Sequence, residues 1–181
     1  MEYIYYLDNR QVKEPQKTKL LQVYNNHSEE LDNKIIDFWT KEEALPSYED
    51  SFVKTRLNEV VYACLDSDTN EIIGICSGNA VYYELLRNNF FYFRVFVAKE
   101  WRGNNRGVAI NLYYAAYDLF NELEMCNLQK IIGILIVYES EHLNKVINYY
   151  HSEKYRNQVL IGYTENDEQI RVSYFENVKM F

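Results

Sequence analysis

The stretch from Val95 to Leu123, V-F-V-A-K-E-W-R-G-N-N-R-G-V-A-I-N-L-Y-Y-A-A-Y-D-L-F-N-E-L, constrains this chain more than any other. It opens inside an apolar run of strand character, Phe90 to Val97. Val108, Leu112, Ala115, Leu119 and Leu123 then recur at helical spacing and predict a long helix with one buried face. Between the two lies the polar segment Arg102-Gly103-Asn104-Asn105-Arg106-Gly107. A loop that turns sharply into a helix aims several backbone N–H groups at one point, where the positive end of the helix dipole also sits. Such a turn suits an anion, and a pyrophosphate fits it well. Gly107 lets the backbone approach the phosphates, and Asn105 tolerates a left-handed conformation almost as glycine does. Without a ligand the same residues make an ordinary strand–loop–helix turn. A dinucleotide or nucleoside-triphosphate loop fits less well. The chain has no G-x-G-x-x-G and no G-K-S/T here, and the loop follows several strands rather than the first.

A length of 181 residues predicts one domain with a sizeable core. The formal net charge of −8 argues against nucleic acid as the main partner and suits a cationic or amine-bearing substrate. Eighteen tyrosines are many, and they point to an aromatic-rich core before a broad aromatic groove. Cys64, Cys76 and Cys126 are odd in number and have no metal-ligand spacing, so a reducing, cytoplasmic setting and no metal are expected. The acidic start M-E-Y-I-Y-Y-L-D does not read as a signal peptide, and no apolar run approaches membrane-spanning length.

Taken in order, Tyr3 to Leu7 reads as a short strand and Pro15 to Tyr24 as a helix with proline in its first turn. Ser28 followed by Glu29 and Glu30 opens a second helix through Trp39, with Leu31, Ile35, Ile36 and Trp39 on one face. Tyr48 to Asn58 predicts a third. Three antiparallel strands follow: Glu59 to Leu65, Glu71 to about Leu85, and Phe90 to Val97, with Arg87-Asn88-Asn89 as the second turn. Beyond the long helix, Lys130 to Tyr138 is a continuous apolar run, the mark of a central strand covered on both faces. Glu141 to Ser152 reads as a helix. Gln158 to Tyr163 and Gln169 to Phe175 close the chain as a hairpin around Glu165-Asn166-Asp167.

Strand, then R-x-x-G-x-G/A, then a long helix resembles the acyl-coenzyme A signature of the GNAT superfamily of N-acetyltransferases. Arg102 takes the Arg/Gln position, Gly107 the last glycine, and Trp101 a position that is commonly aromatic, while Asn105 stands where the first glycine is usual. The order helices, β-β-β, α, β, α, β-β is that family's order too. The resemblance implies a mixed α/β fold with a mostly antiparallel central sheet, splayed between two strands and flanked by helices. Residues 1–58 then form a helical acceptor-side region, and residues 59–181 an acyl-coenzyme A-binding core, of a single domain. The implied reaction moves an acetyl group from acetyl-coenzyme A to a primary amine by direct attack in a ternary complex. The amine belongs to a small molecule, a peptide or a protein, and is cationic or neutral.

The resemblance also implies roles. The backbone of Phe96, Val97 and Ala98 would pair with the pantetheine arm, and an N–H near Val97 would polarise the thioester carbonyl. The pyrophosphate would rest on the amides of Arg102, Gly103, Asn104, Asn105, Arg106, Gly107, Val108 and Ala109, with the Arg102 and Arg106 side chains as charge partners. The family tyrosine that protonates the leaving thiolate falls on Tyr150, with Tyr149 one residue away. Lys154-Tyr155 replaces the usual Gly-Phe that follows it. A tyrosine suits that role because its pKa lies near that of a thiol. The strand before the loop offers no carboxylate, only Tyr92 and Arg94, so the base candidates are Glu84 and Glu139. His142 and His151 read as structural or exposed. A cofactor-binding module without turnover is the alternative, and oligomeric state, monomer or homodimer, stays open.

Overall fold

A computed structural model describes residues 18–102, 107–123, 130–139, 150–152, 155–176 and 178. Eight strands are hydrogen-bonded in the order β1-β2-β3-β4-β5-β8-β7-β6. They are β1 (Thr18–Gln22), β2 (Val60–Asp66), β3 (Ile72–Tyr83), β4 (Asn88–Val97), β5 (Ile131–Tyr138), β6 (His151–Ser152), β7 (Gln158–Tyr163) and β8 (Gln169–Tyr174). The helices are α1 (Glu29–Glu42), α2 (Asp50–Asn58) and α3 (Val108–Glu122). The pairing is antiparallel except between β4 and β5, which run parallel, so the sheet is mixed as expected. The residues fall into two compact units, one within 1–77 and 95–116, the other within 78–94 and 117–181.

In the first unit, α1 starts where its cap dictates. Ser28 Oγ accepts from the Leu31 N–H at 3.2 Å, and Glu29, Glu30 and Asp32 stand at the positive end of the dipole. The helix runs three residues past Trp39 and stops at Glu43, which is left-handed at φ 54°. Ile35, Phe38 and Trp39 join Val23, Val53, Val60, Ala63, Ile75 and Ala98 in one core. The helix expected over Pro15 to Tyr24 is not formed over its described residues, 18–24. Thr18–Gln22 is instead an edge strand, paired from Thr18↔Asp66 to Gln22↔Tyr62. A short segment with Leu20, Leu21 and Val23 fits neither period well, and the free edge of β2 supplies the hydrogen bonds that decide it. Residues 1–17, with the strand expected at Tyr3 to Leu7, lie outside the described residues.

In the second unit, β5 is buried from Ile131 to Ile136, as its unbroken apolar run requires. Phe90, Ile132, Leu135, Ile170 and Val172 form its core. The second turn is tighter and earlier than the sequence suggested: a 3₁₀ turn at Glu84–Leu86 ends on a left-handed Arg87, and Asn88 already belongs to β4. The last two residues of the helix expected over Glu141 to Ser152 are strand instead: His151 and Ser152 are paired with Val159 and Gln158 in β6 and β7. Residues 140–149 lie outside the described residues, as do Cys126, His142 and Tyr149.

The chain passes between units within α3. Val108, Leu112 and Ala115 are buried as the spacing predicts, but Leu119 and Leu123 are only half-buried. Tyr113, Ala116, Tyr117 and Phe120 are buried instead, so the covered face is broader than one stripe. Phe120 stacks on Phe91 of β4 with ring centroids 3.8 Å apart.

Candidate active site

The strand stem of the Arg102–Gly107 loop is held by β3 and α1. Leaving β4, the Ala98 N–H donates to the Ile73 carbonyl at 2.9 Å. Lys99–Trp101 then form a 3₁₀ turn, whose first N–H, that of Lys99, donates to Glu42 Oε2 at 3.0 Å. Glu42 ends α1 and is 8% exposed, a buried carboxylate capping the start of the loop. Arg102 folds back over the strand end, donating from Nε to the Val97 carbonyl at 2.7 Å with its guanidinium 4.7 Å from the Phe96 ring centre. The other stem begins at Gly107, whose φ of 68° is the left-handed value that favours glycine. The Gly107 carbonyl accepts from Asn111 and starts the α3 ladder. Residues 103–106 lie outside the described residues.

Strand alternation divides the backbone edge of β4. Because the Ala98 N–H faces β3, the N–H and C=O of Val97 face the other way. The ladder between β4 and β5 closes at Phe93↔Ile136, while β4 continues to Val97.

A second group of polar residues lies in the other unit, on one face of the sheet. Tyr92 is in register with Leu135, and Leu135 and Val137 with Val172 and Ile170. One step beyond the last pair, Tyr138↔Gln169, that register sets Glu139 opposite Glu168, on the face that carries Tyr92 and Arg94. Thr164 Oγ1 donates to Glu168 Oε2 at 3.0 Å and steadies that carboxylate. Arg94 Nη1 donates to Asn79 Oδ1 at 2.8 Å, and its guanidinium lies 4.2 Å from the Tyr92 ring centre. Burial first, then the negative charges of Glu139 and Glu168, push the Tyr92 hydroxyl above its ordinary value, against the opposing pull of Arg94. Tyr92 is therefore a neutral phenol at physiological pH.

No protein-family model and no curated protein matches the sequence, so the comparison rests on solved structures. A mosquito arylalkylamine N-acetyltransferase, like 5b, superposes with a TM-score of 0.57 at 10% identity, over 87% of this chain and 100% of that one. NAA60 of Arabidopsis thaliana, solved in complex with acetyl-CoA, gives 0.55 at 13% identity, over 89% and 100%. An acetyltransferase of the GNAT family from Streptococcus pneumoniae gives 0.54 at 11% identity, over 87% and 99%. The chain has the GNAT acetyltransferase fold.

Within this GNAT fold the expected site residues have distinct settings. Phe96 and Val97 are half-buried on the last turns of β4, with Phe96 edge-on to Phe38. Ala98 is buried with its N–H engaged by β3, so of the three it is Val97 whose backbone faces outward. Arg102 is occupied by the strand end rather than held out as a charge partner. Val108 is buried and Ala109 exposed at the start of α3. Glu139 is exposed just past β5, and Glu84 is exposed in the 3₁₀ turn that precedes β4. Tyr150 is 71% exposed, immediately before β6, and its carbonyl accepts from the Leu160 N–H.

Glu42, Asn79 and Glu168 carry structure here that sequence reading missed. Glu42 reaches a backbone group 57 positions away and Asn79 a side chain 15 positions away, separations that helix and strand periods do not report. Glu168 had a usable signal, since alternation through β8 sets it on the face of Ile170 and Val172.

Proposed function

We propose that the chain is an acetyl-coenzyme A-dependent N-acetyltransferase acting on a primary amine. The observation that carries the reading is the loop between β4 and α3. Its strand stem is anchored by Ile73 and Glu42, its helix stem begins at a left-handed Gly107, and an outward-facing Val97 precedes it within a GNAT fold. This reading sets a pyrophosphate on the backbone N–H groups from Gly103 through Ala109 and drops that of Arg102, which already donates to the Lys99 carbonyl at 3.3 Å. It also supports a pantetheine arm beside Phe96 and Val97, with Ala98 holding the strand end.

The thioester supplies an activated acetyl group. The Val97 N–H donates to its carbonyl oxygen and stabilises the charge that grows there as the amine attacks the carbon. Glu139 accepts the proton the amine gives up; Glu84, the other candidate, precedes β4 and so lies at the opposite end of that strand from Val97, roughly 30 Å away, too far to serve. Tyr150 returns a proton to the sulfur as the C–S bond breaks. The facing carboxylates Glu139 and Glu168 favour a cationic or neutral acceptor over an anionic one. The buried, protonated thiols of Cys64 and Cys76 suit a reducing cytoplasm.

The test is release of free thiol from acetyl-coenzyme A in the presence of a panel of primary amines: arylalkylamines, polyamines, lysine and short peptides. An enzyme releases thiol with at least one amine at a rate that depends on amine concentration. If acetyl-coenzyme A binds and no amine releases thiol, the chain is a cofactor-binding module.

A further inference from the structure

We propose that Gly74 is a positioning residue for the cofactor, setting the gap across which the phosphate loop is strung; the inference rests on the acetyl-coenzyme A reading above. Glycine inside a long strand weakens it, and here no left-handed φ calls for one. The reason is space. A Cβ on Gly74 would lie 2.8 Å from Val108 Cγ1, 3.2 Å from Leu112 Cδ1 and 3.4 Å from the Phe96 carbonyl oxygen. Val108 and Leu112 belong to the first two turns of α3, so the bare backbone of Gly74 is the floor on which the phosphate-facing end of the helix is seated.

Its neighbour seats the other stem. The Ile73 carbonyl holds the Ala98 N–H at 2.9 Å, just where β4 gives way to the loop. Two consecutive residues of β3 thus fix both ends of the loop, Ile73 through a hydrogen bond and Gly74 through the absence of a side chain. An added methyl would leave the strand stem in place and act on the helix stem alone. Val108 cannot yield by rotation, because a β-branched side chain in a helix has one preferred χ1. The start of α3 must therefore withdraw, by up to about 1 Å if ordinary carbon–carbon contact is restored. The N–H groups that open α3, those of Gly107, Val108 and Ala109, then move off the anion.

The experiment measures acetyl-coenzyme A affinity by calorimetry, together with kcat and the KM for acetyl-coenzyme A, for the parent, Gly74→Ala, Val108→Ala, the Gly74→Ala/Val108→Ala pair and Gly78→Ala. Gly78 is the control on the same strand, where a Cβ would meet Phe120 at an ordinary 3.5 Å. Gly74→Ala is expected to weaken binding and raise KM roughly tenfold, inside the hundredfold that a 1 Å misplacement can cost. Its kcat at saturation should stay within about twofold of the parent, the signature of lost cofactor binding alone. The double variant recovers most of the affinity, since removing Val108 Cγ1 removes the clash, and Gly78→Ala binds as the parent does. A folded Gly74→Ala that binds like the parent overturns the inference. If Gly74→Ala does not fold, the pair decides: a double variant that binds about tenfold more weakly than Val108→Ala alone also overturns it. A parent that binds no acetyl-coenzyme A sinks the cofactor reading and this inference with it, whereas a binding parent with an indifferent Gly74→Ala sinks this inference only.

Discussion

Replacing Glu42 by alanine should loosen the start of the Arg102–Gly107 loop at a calculable cost. Glu42 Oε2 accepts from the Lys99 N–H at 3.0 Å, and the carboxylate is buried at the end of α1. A hydrogen bond to an ionised acceptor is worth about 1.5–3 kcal/mol. Alanine removes the acceptor and leaves the Lys99 N–H beside a cavity of about 340 Å³ lined by Phe38, Lys41, Asp66 and Trp101, among others. A polar cavity of that size admits water, which offsets part of the loss, so about 2 kcal/mol is the expected net destabilisation. For a chain of this length that lowers the thermal midpoint by about 4–8 °C. Glu42→Gln keeps an oxygen at the same reach and gives up the charge, so its midpoint should fall between the two. Circular dichroism melts of the three proteins at neutral pH provide the comparison. A Glu42→Ala midpoint within about 1 °C of the parent would mean that the carboxylate does not hold the loop.

Gly133→Ala should cost more than any other substitution discussed here, because its Cβ would lie 2.2 Å from the Ser173 carbonyl oxygen and force β5 and β8 apart; urea unfolding should show at least about 3 kcal/mol lost, and an unchanged midpoint would refute the close approach. Burial pushes the Cys64 thiol up from 9.0 to about 12 and the Cys76 thiol further still. The unfolded chain therefore gives up these protons first, so stability is retained below about pH 9 and falls as pH rises towards 12, by up to about 1.4 kcal/mol per thiol per pH unit. Alkaline melts of the parent against Cys64→Ala/Cys76→Ala should show the shallower pH dependence in the variant, and peptide mapping should find Cys64 and Cys76 unmodified after native protein meets a thiol reagent at neutral pH. Tyr150→Phe should lower kcat by roughly ten- to a thousandfold with acetyl-coenzyme A affinity unchanged; parental turnover would hand the proton transfer to water or to Tyr92, which Tyr92→Phe distinguishes.

The parts of the fold that were legible are those where a strong local period meets no competitor. Ser28 with its acidic first turn marks α1 to the residue, and the unbroken run Ile131 to Ile136 declares a strand covered on both faces. The turn into α3 was legible from Gly107, expected there for a close backbone approach; that Gly107 is itself left-handed is new, since the sequence pointed to Asn105 for that conformation. Thr18–Gln22 was misread because an edge strand owes its state to its partner, Val60–Asp66, rather than to its own residues. His151–Ser152 was misread for the same reason, the two residues being recruited by the β7 edge. The Tyr92–Arg94 face of the second unit was the least legible. Its carboxylate pair comes from two chain segments about thirty residues apart, joined only by the β5–β8 register, and Arg94 gains its setting from Asn79 on another strand.

The central claim is that the Arg102–Gly107 loop holds acetyl-coenzyme A. Calorimetric titration of acetyl-coenzyme A into the parent protein and into folded Gly107→Glu tests it most directly. Glutamate at that position combines a strained left-handed backbone with a negative charge against the pyrophosphate. The account predicts saturable one-to-one binding to the parent and none to the variant. No binding to the parent, or equal binding to both, would contradict it.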